Sequence, residues 1–105
     1  MGGPGAGSMS AAPEQIVRIA ARIFDVPAHQ IYGPSRKRPI ALARQATYEA
    51  ISATGRSDAA VGRILDRDPT TVRHGIRQAA NLATCWPDFA ERRTRLAVEV
   101  EALSC

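Results

Sequence analysis

Apolar residues recur along this chain at the three- and four-residue spacing of a buried helical stripe, and nowhere in the alternation of a strand. Ile16, Ile19, Ala20 and Ile23 form one such stripe behind Pro13, which predicts a helix from Pro13 to about Phe24, ended by Val26-Pro27. A single helical turn over residues 28–31 and a loop at Tyr32-Gly33-Pro34 follow. Pro39 suits the first position of a second helix, with Ile40, Ala43, Thr47, Ala50 and Ile51 on its buried side and Gly55 as its left-handed end. Ser57 is placed to cap a third helix that buries Val61, Ile64 and Leu65. After a turn at Asp66-Arg67, Asp68 caps a fourth helix that has Pro69 first and runs to about Ala83. Trp86-Pro87 interrupts, and Pro87 starts a fifth helix that would dock through Phe89, Leu96, Val100 and Leu103. The pattern predicts an all-α, compact helical domain of about five helices, with a helix-turn-helix over residues 57–83.

The 105 residues suffice for one domain with a modest core. Residues 1–12 begin glycine-rich and uncharged, and are expected to be a disordered tail or an expression scar. The domain itself is then 13–105. Cys85 and Cys105 are too few and too far apart for a disulfide framework or a metal site. Cys85 is expected to be a small buried residue and Cys105 a terminal thiol. No apolar run is long enough to span a membrane or to form a signal-peptide core, so a cytoplasmic, nucleoid-associated protein without cofactor or metal is expected.

Charge sharpens the picture. Residues 36–78 hold nine cations against four acids, while the flanking segments are neutral or slightly acidic. The positive field is therefore centred on the helical pair, where it would attract a polyanion and release counterions. On the fourth helix Val72, Ile76, Ala79 and Ala80 form the predicted buried stripe, and Thr70 and Arg77 lie about 160° and 140° away from Val72. Arg73, His74 and Asn81 fall on the same outer side. Recognition helices enter the major groove by their first residues, here Asp68, Pro69, Thr70 and Thr71. A threonine can meet a base edge or a thymine methyl, and an aspartate can accept from cytosine unless its capping role occupies it. Arg73 and Arg77 suit phosphates.

From Pro13 to about Ala83 the chain resembles the C-terminal DNA-binding domain of the bacterial replication initiator DnaA. The resemblance rests on Ile16-Val17 through Ile23-Phe24-Asp25-Val26, the basic loop Ser35-Arg36-Lys37-Arg38, and Ala43-Arg44-Gln45. It continues in Thr54-Gly55 with Ser57, in Val61-Gly62, and above all in Arg67-Asp68-x-Thr70-Thr71-Val72-x-His74. It implies a Trp-repressor-like helix-turn-helix fold and sequence-specific binding of double-stranded DNA. Asp68, Thr70 and Thr71 would touch bases, and Arg44 and the basic loop would engage backbone and minor groove. Departures stand beside it. Pro69 occupies the place of a base-reading histidine, Leu42 replaces an arginine, and the turn before Arg67 lacks the family's glycines. The expected DNA-binding set is Arg36, Lys37, Arg38, Arg44, Ser57, Arg67, Asp68, Pro69, Thr70, Thr71, Arg73, His74 and Arg77.

No phosphate loop, catalytic triad or paired carboxylates are evident, so a DNA-binding protein without ATPase is expected rather than an enzyme. It would be an excised domain or a stand-alone relative, acting in transcription or in replication initiation on promoter or origin DNA. A monomer is favoured, with a dimer left open. The competing reading is a helical protein–protein interaction module without DNA binding. An RNA-binding role lacks an aromatic platform for stacked bases.

Overall fold

The computed structural model describes residues 11–104. The stretch 1–10, expected as a tail, and the thiol of Cys105 lie outside the described residues. Ala11 and Ala12, grouped with that tail by composition, belong to the fold: Ala11 is buried in the core and Ala12 caps the first helix.

Six helices make up the described chain: α1 Pro13–Phe24, α2 Ala28–Tyr32, α3 Arg38–Ser52, α4 Asp58–Leu65, α5 Pro69–Cys85 and α6 Pro87–Ser104. The all-α expectation is met. The helix beyond the expected five is α2, the segment read as a single turn, and α3 starts one residue early, with Lys37 as its cap. At the start of α1 the Gln15 Oε1 accepts from the Ala12 N–H at 3.1 Å. Both α1 and α4 close on an aspartate in the left-handed region, Asp25 at φ 57° and Asp66 at φ 56°. Aspartate tolerates that region better than most residues, so Asp66 supplies the bend that a glycine would otherwise make. Gly55 also has a positive φ, of 100°, but it lies beyond Ala53, where α3 is already capped.

α3 runs through the middle of the molecule and touches each of the other five helices. Ile16, Val17, Ala20, Ile51, Val61, Leu65, Val72 and Leu96 form the innermost layer. α6 closes the core from one side. The rings of Phe24 and Phe89 meet with centroids 5.8 Å apart, and the Arg92 Nη1 donates to the Ile23 carbonyl at 2.7 Å. Arg93 grips Glu49 of α3 through two parallel hydrogen bonds, at 2.7 and 2.5 Å.

Three burial expectations are corrected. Cys85 is exposed, because it sits on the outer side of the last turn of α5, with its Sγ over the carbonyls of Asn81 and Leu82. Leu103 is 40% exposed, since it lies a turn beyond Val100, the last core residue of α6. Ala80 is exposed, whereas Gly75 is buried. The contact stripe of α5 is thus rotated toward Gly75, a residue with no apolar side chain to signal it. A shallow groove separates the ends of α3 and α6, walled by Ala53 and Thr54 on one side and Val100 and Glu101 on the other. Ala11 lies close by, its carbonyl accepting from the Arg56 Nη1 at 3.5 Å.

Candidate nucleic-acid interface

Of the expected polar set, Arg36, Arg44, Arg67, Thr71, His74 and Arg77 come together around one groove, built by the loop between α2 and α3, the turn between α4 and α5, and the first half of α5, while Ser57 caps α4 and Arg38 lies against Trp86. Ser57 accepts from the Ala60 N–H at 3.1 Å, and the Asp68 Oδ2 accepts from the Thr70 N–H at 3.0 Å. Each aspartate or serine satisfies one of the orphan amides that open a helix. Pro69 follows in the first turn of α5, where a missing N–H costs nothing. Behind this cap Thr70, Thr71, Arg73, His74 and Arg77 are all exposed on α5, opposite the buried Val72 and Ala79.

Close packing sets the position of α5. A Cβ on Gly75 would stand 2.5 Å from Tyr48 Cδ2 and 2.6 Å from its Cε2, so the ring of Tyr48 lies directly on the backbone of α5. Tyr48 is buried, and burial pushes its phenol up while the Arg67 and Arg44 guanidiniums pull it back. Gln45 and Tyr48 line one wall of an open groove, and Tyr32, Arg36, Arg67, Thr71, His74 and Arg77 surround it. The Gln45 Oε1 is buried there without a hydrogen-bond partner.

The arginines divide by geometry. Arg44 is 7% exposed. Its Nε donates to the Ile31 carbonyl at 2.8 Å, its Nη1 to Ser35 at 2.8 Å, and its Nη2 to Gln30 and Gly33, both at 2.8 Å. Burial first, and the neighbouring Arg67 charge second, lower its affinity for the proton relative to an ordinary guanidinium, and arginine stays charged regardless. Arg67 donates through Nη1 to Leu65 at 2.8 Å, Asp66 at 3.2 Å and Tyr32 at 3.4 Å, and through Nη2 to the Gly33 carbonyl. Arg38 opens α3 with its guanidinium over the Trp86 ring, 4.9 Å from the centroid. Arg36, Lys37, Arg77 and His74 are exposed.

Sequence reading placed Arg73 on the outer face and had no sign of its partner. The Arg73 Nε meets the Asp58 Oδ2 of α4 at 3.2 Å, and the two side chains are 63% and 30% exposed. At that exposure the pair is weak and readily exchanged for another anion. Replacing Arg73 by alanine is expected to lower affinity for every duplex alike and to reduce the slope of log K against log salt by about one. An unchanged slope, measured by titration across several salt concentrations, would remove Arg73 from the phosphate contacts.

Two helices at a tight turn, the second capped and presenting hydroxyls and cations to solvent, define a helix-turn-helix module. Residues 13–79 match the family described as bacterial dnaA protein helix-turn-helix. The chromosomal replication initiator protein DnaA of Ruegeria sp. (strain TM1040) is 36% identical over 91 residues, spanning 85% of this chain and 19% of the initiator. The chain belongs to the DnaA helix-turn-helix family, and that membership implies binding of DNA. Among the described residues no helix is long and apolar enough to cross a membrane.

Proposed function

We propose that this chain binds double-stranded DNA sequence-specifically, with the start of α5 in the major groove and the loop before α3 on the adjoining backbone. One observation carries the reading: the Arg67-Asp68-x-Thr70-Thr71 string is folded into a capped helix start whose hydroxyls face solvent, next to a basic loop. Asp68, already accepting from the Thr70 amide, keeps lone pairs for a cytosine amino group. Thr70 and Thr71 read base edges. Pro69 adds an apolar surface where no donor is present. Arg36, Lys37, Arg38, Arg73, His74 and Arg77 meet phosphates, Ser57 stands near the backbone at the start of α4, and Arg44 and Arg67 hold the surface together. The module acts as a monomer on each site, at origin or promoter DNA in the nucleoid, as a binding protein and not a catalyst.

The test is fluorescence anisotropy with a duplex carrying the initiator box and a scrambled duplex of equal composition, at low and physiological salt. Preference for the box supports an action at origins. Equal, salt-sensitive binding to both supports a DNA binder with another target. Absence of binding to either at low salt defeats the proposal. Thr70→Ala is expected to weaken binding to the preferred duplex by about 1–3 kcal/mol while leaving the scrambled duplex nearly unaffected. Equal loss on both duplexes would take Thr70 out of base reading.

A further inference from the structure

The loop that carries Arg36 and Lys37 has little of its own to hold it. α2, which precedes it, is five residues long, too short to be stable alone. Its end leaves carbonyls at Gln30, Ile31, Tyr32 and Gly33 without helical partners. Two arginines from later in the chain take all four: Arg44 the carbonyls of Gln30, Ile31 and Gly33, and Arg67 those of Tyr32 and Gly33. The Gly33 oxygen is shared, with one guanidinium from α3 and one from the helix-turn-helix turn. Arg67 is also fixed at its own base, because its N–H donates to the Gly62 carbonyl at 2.7 Å and its Nη1 to Leu65. Asp68, the cap of α5, is the next residue. The loop and the start of α5 are thereby joined through one side chain.

We propose that Arg67 is a positioning residue for DNA binding. It locks the phosphate-facing loop to the base-reading end of α5, so that both meet one duplex in a fixed register. The inference deepens the proposed function and rests on it. A lysine at this position keeps the charge but cannot reach the carbonyls of Tyr32, Gly33, Leu65 and Asp66 together, because it offers a single nitrogen instead of a planar fork.

The experiment is a substitution cycle on the full chain, read by anisotropy with whichever of the two duplexes the parent prefers, alongside amide hydrogen exchange of the free protein. In the parent, Arg36→Ala is expected to weaken binding about tenfold. In the Arg67→Lys background the same change is expected to have an effect below about twofold, since a loop released from its clamp no longer aims Arg36. Arg67→Lys by itself is expected to lose about tenfold despite its retained charge, and to speed exchange at the Arg36 and Lys37 amides while its helical circular dichroism stays native. Costs that add across the cycle, parental affinity in Arg67→Lys, unchanged loop exchange, or global unfolding of that variant would each overturn the assignment. A parent that binds no duplex defeats the DNA reading itself and this inference with it. Additive costs in a parent that does bind leave that reading intact.

Discussion

Gly62→Ala is expected to destabilise the domain by about 2–3 kcal/mol, a fall of roughly 10–20 °C in melting temperature. Alanine ordinarily favours a helix over glycine by about 1 kcal/mol, so the change looks favourable on propensity alone. The turn reverses that. A Cβ at Gly62 would overlap the carbonyl oxygen of Arg67 and approach its carbon to 3.4 Å and the Pro69 nitrogen to 3.6 Å. These are backbone atoms of the turn itself, and the Arg67 N–H is already tied to the Gly62 carbonyl. Relief would require opening the angle between α4 and α5. A urea titration with circular dichroism checks the expectation, and a variant as stable as the parent would show that the turn relaxes without cost. At Gly75 the obstacle is instead a side chain, the buried ring of Tyr48.

Arg44→Met is the second change with a large effect. The thioether matches the aliphatic stem of arginine and fills the buried channel, but it returns nothing to the carbonyls of Gln30, Ile31, Gly33 and Ser35. A buried acceptor left unpaired costs about 1–3 kcal/mol, and water can reach the outer ones. The expected loss is therefore about 2–4 kcal/mol rather than the sum of three such terms, since Arg67 still serves the Gly33 oxygen. DNA binding should fall further than stability alone predicts, because the loop loses one of its two clamps. Anisotropy at a temperature where the variant remains folded separates these effects. Parental affinity there would mean that the loop keeps its place without Arg44.

Much of this molecule was legible in the spacing of its residues. Ser57 and Asp68 announce their helices because a capping oxygen acts on amides two or three positions away, within one turn of chain. The prolines at 13, 39, 69 and 87 mark helix starts for equally local reasons. What sequence could not reveal is long-range or lacks a side-chain signature. Gly75 contributes the contact surface of α5 by having no side chain, so a count of apolar residues assigned Ala80 to the buried face instead. Arg44 and Arg67 stand in the expected DNA-binding set, because nothing local shows that backbone carbonyls 9 to 35 positions away would gather around them. Asp58 is a first-turn acid on α4 by any local rule, and only folding brings it to Arg73. Spacing thus located the helices and their caps, while the division of the arginines between buried struts and exposed cations came from packing.

The grouping of Ala11, Thr54 and Glu101 at one end of α3 has a consequence for attachment. The basic loop enters α3 at its other end, roughly 20 Å away along a helix of 15 residues. The Arg56 guanidinium joins the Ala11 carbonyl to the Thr54 hydroxyl, and Glu101 of α6 lines the groove beside Thr54. A body attached at Ala11 or at the end of α6 would sit about a helix length from the α2–α3 loop. The α2–α3 loop, and the start of α5 that Arg67 ties to it, therefore lie clear of whatever is joined there.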